Sequence, residues 1–498
     1  MRLSNATLTR LSGEVARPLY DRSQLTAGIV HLGIGAFHRA HQAAMVDDRL
    51  NAGETGWGII AASLRSPDTA AALNPQDGLY TLAVRDGAGT RLRVVGSILD
   101  VIVASDARER LLSAMTNPAV RIVSLTVTEK GYCHDPATGD LNPDHPGIVA
   151  DLAAPATPGT APGMIVEALA RRRAAGSAPF AVLCCDNLPA NGATVRRVVS
   201  QLARLRDPGL GAFVAAEVAF PATMVDRIVP ATTDADRQMV SAGLGLDDAW
   251  PVMTEPFCQW VIEDHFPAGR PHWEAAGAEF VSDVSIYEMM KLRLLNGTHS
   301  TMAYLGQLAG LETVADTIRT PVFTRFIRAM MDEEITPTLR AFAPGKLDPY
   351  KDALMARYAN PALRHRTAQI AMDGSQKVPQ RLLGTVRDRL AEGAPIDRLA
   401  LAVAGFLRFM TGTGENGAPL QVNDPMAAAF RVAAEGAGAN GVGRTGEHAT
   451  ALAGKLVDSM LTISAVFGDL AGEPRFRAAV TAALARLYRD GALASLGD

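Results

Sequence analysis

The stretch GIVHLGIGAFHRAHQAAMVDDRL, residues 28–50, constrains the fold more than any other part of this 498-residue chain. Ile29 to Leu32 reads as extended, Gly33 and Gly35 as a turn, and about His38 to Asn51 as a helix. A strand that passes through a glycine turn into a helix opens a parallel sheet, because a parallel neighbour needs a helical crossover. The pattern repeats. WGIIAASLRS is a second buried strand near 57 to 64, and short apolar runs follow at Leu92 to Leu99, Val120 to Thr128 and Phe180 to Cys185. Helical patterns from Asp106 to Met115 and Met164 to Ala174 separate them. Strands alternating with helices predict an α/β fold with a doubly wound parallel sheet.

Beyond about residue 284 the texture changes. Amphipathic patterns at 286–311, 321–341, 363–372, 379–391 and 396–411 come with almost no β-branched runs, and stretches near 417–425 and 433–446 read as loops. The length exceeds what one hydrophobic core supports. The sequence therefore predicts a Rossmann-type domain over 1–283 and a mostly α-helical domain over 284–498. A net charge of −4 offers no footprint for nucleic acid or an anionic membrane, so a small-molecule partner is expected. With no signal-like segment and no apolar run of membrane-spanning length, a cytoplasmic protein is expected, as a monomer or small homo-oligomer. The four cysteines, Cys133, Cys184, Cys185 and Cys258, form no CxxC pair, and no metal site is predicted.

Gly33 and Gly35 are the first two glycines of a dinucleotide fingerprint, with His38 where the third would stand. The turn offers backbone N–H groups at a helix N-terminus to a pyrophosphate. After the second strand comes Arg65-Ser66-Pro67-Asp68. Asp68 suits a ribose 2′-hydroxyl and hence NAD, whereas Arg65 suits a 2′-phosphate; NAD is favoured, with NADP as the alternative.

KLRLLNGTHS, residues 291–300, carries the chemistry. Only six of the 48 basic residues are lysines, and Lys291 lies in a Met/Leu-rich helical pattern, where burial disfavours the ammonium form. At the α-helical advance of about 100° per residue, His299 and Asn296 fall about 80° and 140° from Lys291, so the three share one face. Passing a hydride between an alcohol and a nicotinamide requires a base for the hydroxyl proton and donors for the alkoxide, which an amine and an amide supply. CDNLPANG, after the strand ending near Cys185, offers Asn187 as a second amide, while Asn191-Gly192 reads as turn chemistry. Asp226 and Lys377 stand in turn-like contexts, as substrate contacts or local caps.

Together with SLTVTEKGYC, MVDRI, EPFCQWVIED and DGSQK, these stretches resemble the polyol-specific long-chain dehydrogenases, the mannitol dehydrogenases and their hexuronate-reducing relatives, over essentially the whole chain. The family's Lys, four residues, Asn, two residues, His is matched by Lys291, Asn296 and His299. The resemblance implies a zinc-independent NAD-dependent oxidoreductase acting on CH–OH, with Lys291 as acid and base. It gives Asn187 and Asn296 the oxyanion hole, His299 the orientation of substrate, and Asp226 and Lys377 contact with it. Gly33, Gly35, Ala36, Phe37, His38 and Arg39, with Asp68, are the expected coenzyme contacts. TEKGYC, KLRLLNG and QIAMDGSQKVPQR look closer to the fructuronate reductase (mannonate oxidoreductase) branch than to mannitol 2-dehydrogenases. A hexuronate needs cations for its carboxylate, for which Arg364, Arg366, Lys377 and Arg381 stand close in sequence. D-mannonate and D-fructuronate are therefore the expected pair, and D-mannitol and D-fructose the alternative. Two other classes remain open: a short-chain-type enzyme using Tyr287-x-x-x-Lys291, and a nucleotide-binding sensor without catalysis.

Overall fold

Alternate side chains of one central strand, Ala27–Leu32, divide between two buried clusters. Val30 and Leu32 join Ala62, Ile102, Val123 and Leu125 on one face, while Ile29 joins Ile59, Ala61, Val101 and Ile122 on the other. Side chains alternate across a strand, so both faces of this sheet are covered, which is why its strands read as continuous apolar runs. In the computed structural model, which describes residues 1–135, 138–363 and 365–497, the chain divides into two units, Met1–Ser285 and Ile286–Asp498.

The first unit is built on a five-stranded parallel sheet in the spatial order Ile98–Val103, Gly58–Ser63, Ala27–Leu32, Ile122–Leu125, Ala181–Cys184. Numbered along the chain, that order is 3-2-1-4-5, the doubly wound arrangement expected from the sequence, and it reverses between Ala27–Leu32 and Ile122–Leu125. Two small mixed sheets flank it, one of Gly89–Val95, Tyr80–Asp86 and Val252–Thr254, the other of Glu279–Val281, Gln259–Glu263 and Thr223–Asp226.

Two local expectations differ from the structure. The run Leu92 to Leu99 is two strands, Gly89–Val95 and Ile98–Val103. The chain bends between them, where Gly96 N–H donates to Asp47 (2.8 Å) and the Ser97 hydroxyl to the Ala43 carbonyl (2.7 Å). The helix expected over His38 to Asn51 breaks at His41 (φ −118°, ψ −89°) into Ala36–Ala40 and Gln42–Asn51. There Arg227 captures the Ala40 carbonyl and the His41 ring bonds the Gln259 carbonyl at 2.8 Å, so tertiary partners replace helical ones.

The second unit is helical, as the patterns predict. Its central helix, Asp397–Met410, is buried almost throughout and packs against Thr298–Leu308 and Pro474–Asp490. Three stretches that read as α-helix are π-helical: Lys291–Gly297, Met330–Ile335 and Pro379–Leu383. The segment expected as loop from 433 begins inside the helix Ala427–Gly436. No single helix among the described residues is long and apolar enough to cross a membrane.

The two turn glycines are required for different reasons. Gly33 has φ +99°, and a Cβ there would lie 2.1 Å from the Thr126 carbonyl oxygen. Gly35 has φ −87°, and its Cβ position meets nothing closer than the Gly33 carbonyl at 3.9 Å. Gly33→Ala is therefore expected to destabilise the first unit by about 2 kcal/mol or more, and Gly35→Ala by less than about 0.5 kcal/mol. Urea unfolding of both variants checks this; equal losses would contradict the steric assignment.

Candidate active site

The Gly33 turn is held from below by an imidazole. His31, in the middle of the central strand, bonds Ser124 Oγ through Nδ1 (2.8 Å) and Thr126 Oγ1 through Nε2 (2.9 Å), and the Thr126 hydroxyl donates to the Gly33 carbonyl (2.7 Å). Burial drives the His31 pKa down to about 3, so the ring is neutral, and it stacks on His38 with centroids 3.4 Å apart. Gly33 and Ile34 N–H groups donate to the Ala62 carbonyl, which ties the turn to the second strand.

Above the turn lies a cleft of about 770 Å³, lined by Gly33, Ile34 and Gly35, by Arg65 and Ser66 after the second strand, and by Thr126 to Thr128, Lys130 and Cys133 after the fourth. It opens at the carboxyl ends of the strands flanking the point where strand order reverses, the place where doubly wound folds take a dinucleotide. The open Cβ position of Gly35 and the helix that starts at Ala36 fit the approach of a pyrophosphate to backbone N–H groups. His38 and Arg39 do not face this cleft. Both are buried, with His38 bonded to Gln42 (3.2 Å) and Arg39 donating to the Trp250 carbonyl (2.6 Å), and so they anchor the short helix Ala36–Ala40 instead. Phe37 stacks on His41 at 5.0 Å. Asp68 is exposed in the first turn of Asp68–Leu73, where it accepts from the Ser66 hydroxyl at 2.8 Å, and it is not among the residues lining the cleft. Lys130, Cys133 and Arg108 line it without having been singled out as coenzyme contacts; only the strand-end position of the first two hinted at this.

Asp186 binds the loop after the fourth strand to that after the fifth, accepting from Val127 N–H (2.8 Å), Thr128 N–H (3.2 Å) and the Tyr132 hydroxyl (2.6 Å). Thr128, at φ +65°, is held in a conformation that a β-branched residue avoids, as loops at functional sites tend to be. Asn187 follows and is exposed. Asn191 does more than turn the chain: its side chain donates to Thr223 O (2.8 Å) and accepts from Thr223 N–H (3.0 Å), fixing the strand that ends at buried Asp226.

In the second unit the segment Lys291–Gly297 closes its backbone i to i+5. The α-helical angles used above therefore do not apply between Lys291 and Asn296. Residues five apart in a π-helix stand as i and i+4 do in an α-helix, so these two side chains are neighbours along the axis, and His299 follows about one α turn later, in Thr298–Leu308. All three are buried, at 9%, 9% and 7% exposure. The carbonyls at the end of the π turn find side-chain donors: Thr298 Oγ1 bonds Leu294 O (2.5 Å), and the Tyr358 hydroxyl bonds Leu295 O (3.2 Å).

The His299 ring lies 4.8 Å from Tyr358 and 5.3 Å, edge-on, from His365, and its buried Nε2 has no hydrogen-bond partner among the described residues. Burial, then the neighbouring His365, Arg357 and Arg381, hold its pKa well below the usual imidazole value, so it is neutral. Arg381 reaches this cluster because Gly297 has no side chain: a Cβ there would lie 2.8 Å from the Arg381 carbonyl. Half-buried, Arg381 donates to Ser300 Oγ (3.2 Å) and has no carboxylate partner among the described residues. Lys377 turns its amine onto the Met372 carbonyl (2.5 Å), near Asp373 (4.0 Å), and burial, followed by Arg381, lowers its pKa. Arg366, just before the helix Thr367–Ala371, is exposed and pairs with Glu312 at 3.5 Å. Arg364 lies outside the described residues. Tyr287 packs edge-on against Phe342 at 5.4 Å. Arg357, Tyr358 and His365 carried no local motif and were not singled out.

Comparison with known proteins agrees with this geometry. Residues 27–275 match the mannitol dehydrogenase Rossmann domain, and residues 283–488 the mannitol dehydrogenase C-terminal domain. A D-mannonate oxidoreductase of Escherichia coli is 45% identical over 96% of this chain and 96% of its own length. A mannitol 2-dehydrogenase of Cereibacter sphaeroides is 42% identical over 98% of this chain and 99% of its own. The solved structure of Pseudomonas fluorescens mannitol 2-dehydrogenase, a ternary complex with NAD and D-mannitol, superposes with a TM-score of 0.84 at 39% identity, covering 100% of this chain and 99% of that one. The chain belongs to the mannitol dehydrogenase family, whose members are NAD-dependent oxidoreductases acting on CH–OH groups.

Proposed function

We propose that this enzyme interconverts D-mannonate and D-fructuronate, with Lys291 carrying the proton. A nicotinamide bound to the first unit supplies or accepts the hydride. In the oxidising direction the Lys291 amine takes the hydroxyl proton as the carbinol carbon loses hydride; in the reducing direction the ammonium returns it to the ketone oxygen. The Asn296 amide, one π turn away, donates to the developing alkoxide, and Asn187 serves as a second donor. Neutral His299, whose Nε2 has no hydrogen-bond partner among the described residues, orients the substrate hydroxyls. Asp226 and Lys377 complete the substrate contacts in this reading.

Arg381 carries the choice of a sugar acid over a polyol. A half-buried guanidinium beside a buried imidazole, bonded to one hydroxyl and to no carboxylate among the described residues, leaves donors for an anion. The polyol pair D-mannitol and D-fructose is the second reading, favoured by the mannitol 2-dehydrogenase relatives.

Lys291→Ala should lower kcat by about 10²- to 10⁴-fold with NADH binding unchanged, and a variant keeping more than about a tenth of the activity would remove Lys291 from proton transfer. Asn296→Ala and Asn187→Ala should each lower kcat by about 10²-fold with little change in KM. For substrate choice, the wild type should prefer D-fructuronate to D-fructose in kcat/KM by about 10²-fold or more, and Arg381→Gln should erase most of that preference while sparing fructose turnover. Comparable efficiencies in the wild type would favour the polyol reading. Tyr287→Phe should keep most activity, since its ring packs on Phe342; a loss equal to that of Lys291→Ala would make the phenol the proton donor, as in short-chain enzymes.

A further inference from the structure

Arg65, Ser66 and Arg108 stand together at one end of the dinucleotide cleft. Arg65 and Ser66 follow the strand Gly58–Ser63, and Arg108 opens the helix Arg108–Thr116 that follows the strand Ile98–Val103. These strands are parallel neighbours, with Ser63 paired to Val103, so their carboxyl ends deliver the three groups side by side. Neither arginine has an ion-pair partner among the described residues, and the buried Nε of Arg108 has no hydrogen-bond partner there.

The nearby acids are already engaged. Asp151, in the same cleft, accepts from Gly159 N–H (2.6 Å) and from the Thr160 hydroxyl (2.5 Å). Asp100 pairs with Arg110 at 2.5 Å, Asp106 takes the Ser105 hydroxyl, and Asp68 takes that of Ser66. Two guanidinium groups without an ion-pair partner among the described residues therefore line the cavity at the end of the second strand, where the adenosine ribose of a bound dinucleotide lies. The carboxylate that selects a bare 2′-hydroxyl is absent from the lining, because Asp68 has turned out to the helix Asp68–Leu73. Lys130 also lines the cleft, after the strand Ile122–Leu125.

We infer that Arg65, Ser66 and Arg108 form a site for the 2′-phosphate of NADP(H), so that this enzyme takes the phosphorylated coenzyme as well as NAD(H). A phosphomonoester carries close to two negative charges at neutral pH, which two planar guanidinium forks can match. The inference rests on the dinucleotide reading of the cleft and adds its coenzyme range.

Equilibrium titration of the whole protein with NADH and NADPH, followed by fluorescence at fixed ionic strength, tests it without turnover. The wild type should bind NADPH with a Kd within about tenfold of that for NADH, and Arg65→Ala and Arg108→Ala should each weaken NADPH by about tenfold or more while changing NADH by less than about threefold. Adenosine 2′,5′-bisphosphate should lose affinity with the same variants, and 5′-AMP should not. Asp68→Asn should strengthen NADPH binding, since it removes a negative charge beside the phosphate. Wild-type NADPH binding about 100-fold weaker than NADH would overturn the inference, as would equal losses of both coenzymes in the variants. Binding of neither coenzyme would reject the dinucleotide reading itself, and the phosphate site with it.

Discussion

The second unit depends on one extra residue in a helical turn. Lys291–Gly297 closes after five residues, not four, and this alone makes Lys291 and Asn296 axial neighbours, where an α-helix would set them about 140° apart. Carbonyls at the end of the wider turn take side-chain donors as well. Thr298 and Tyr358 supply them, which brings Tyr358 against the His299 ring. Gly297 then lets a second π turn, Pro379–Leu383, close in and set Arg381 beside Ser300. The placement of Lys291, Asn296, His299 and Arg381 thus follows from the backbone around one irregularity.

The first unit solves a different problem. A dinucleotide needs backbone N–H groups and room; the start of the helix Ala36–Ala40 offers the first, and the second comes from a turn whose shape is over-determined. Gly33 lies under the Thr126 carbonyl, Thr126 and His31 hold the Gly33 carbonyl, and Ala62 accepts from the turn's N–H groups. His38 and Arg39 spend their side chains inward on the same task. The side chains left facing the cleft are then free to discriminate among ligands, which is where Arg65 and Arg108 stand.

Much of this was legible in the sequence. Apolar periodicity and the glycine turn reveal the doubly wound sheet, because a strand buried on both faces has few ways to be written. The spacing of Lys291, Asn296 and His299 reveals a shared face, although the reading of it as an α-helical face about 140° wide was wrong, since no residue preference distinguishes a π turn. The break at His41 was hidden because its causes, Arg227 and Gln259, are far away in sequence. Arg366 shows a different limit of sequence proximity. Proximity in sequence to Lys377 and Arg381 suggested a shared role, but side-chain direction put it in solvent with Glu312. Tyr358 and His365 reach His299 across some sixty residues of chain, and nothing local marks them.

Amine rescue of Lys291→Ala probes most directly whether the Lys291 amine itself moves the proton. Ammonia, methylamine and ethylamine would be added to the variant under saturating coenzyme, with Asn296→Ala as the control that keeps its lysine. Turnover of Lys291→Ala should return in proportion to free amine and rise with amine basicity, while Asn296→Ala gains nothing. A variant that binds NADH normally yet responds to none of the three amines would contradict the assignment, and would leave Lys291 as a buried structural cation in its π turn.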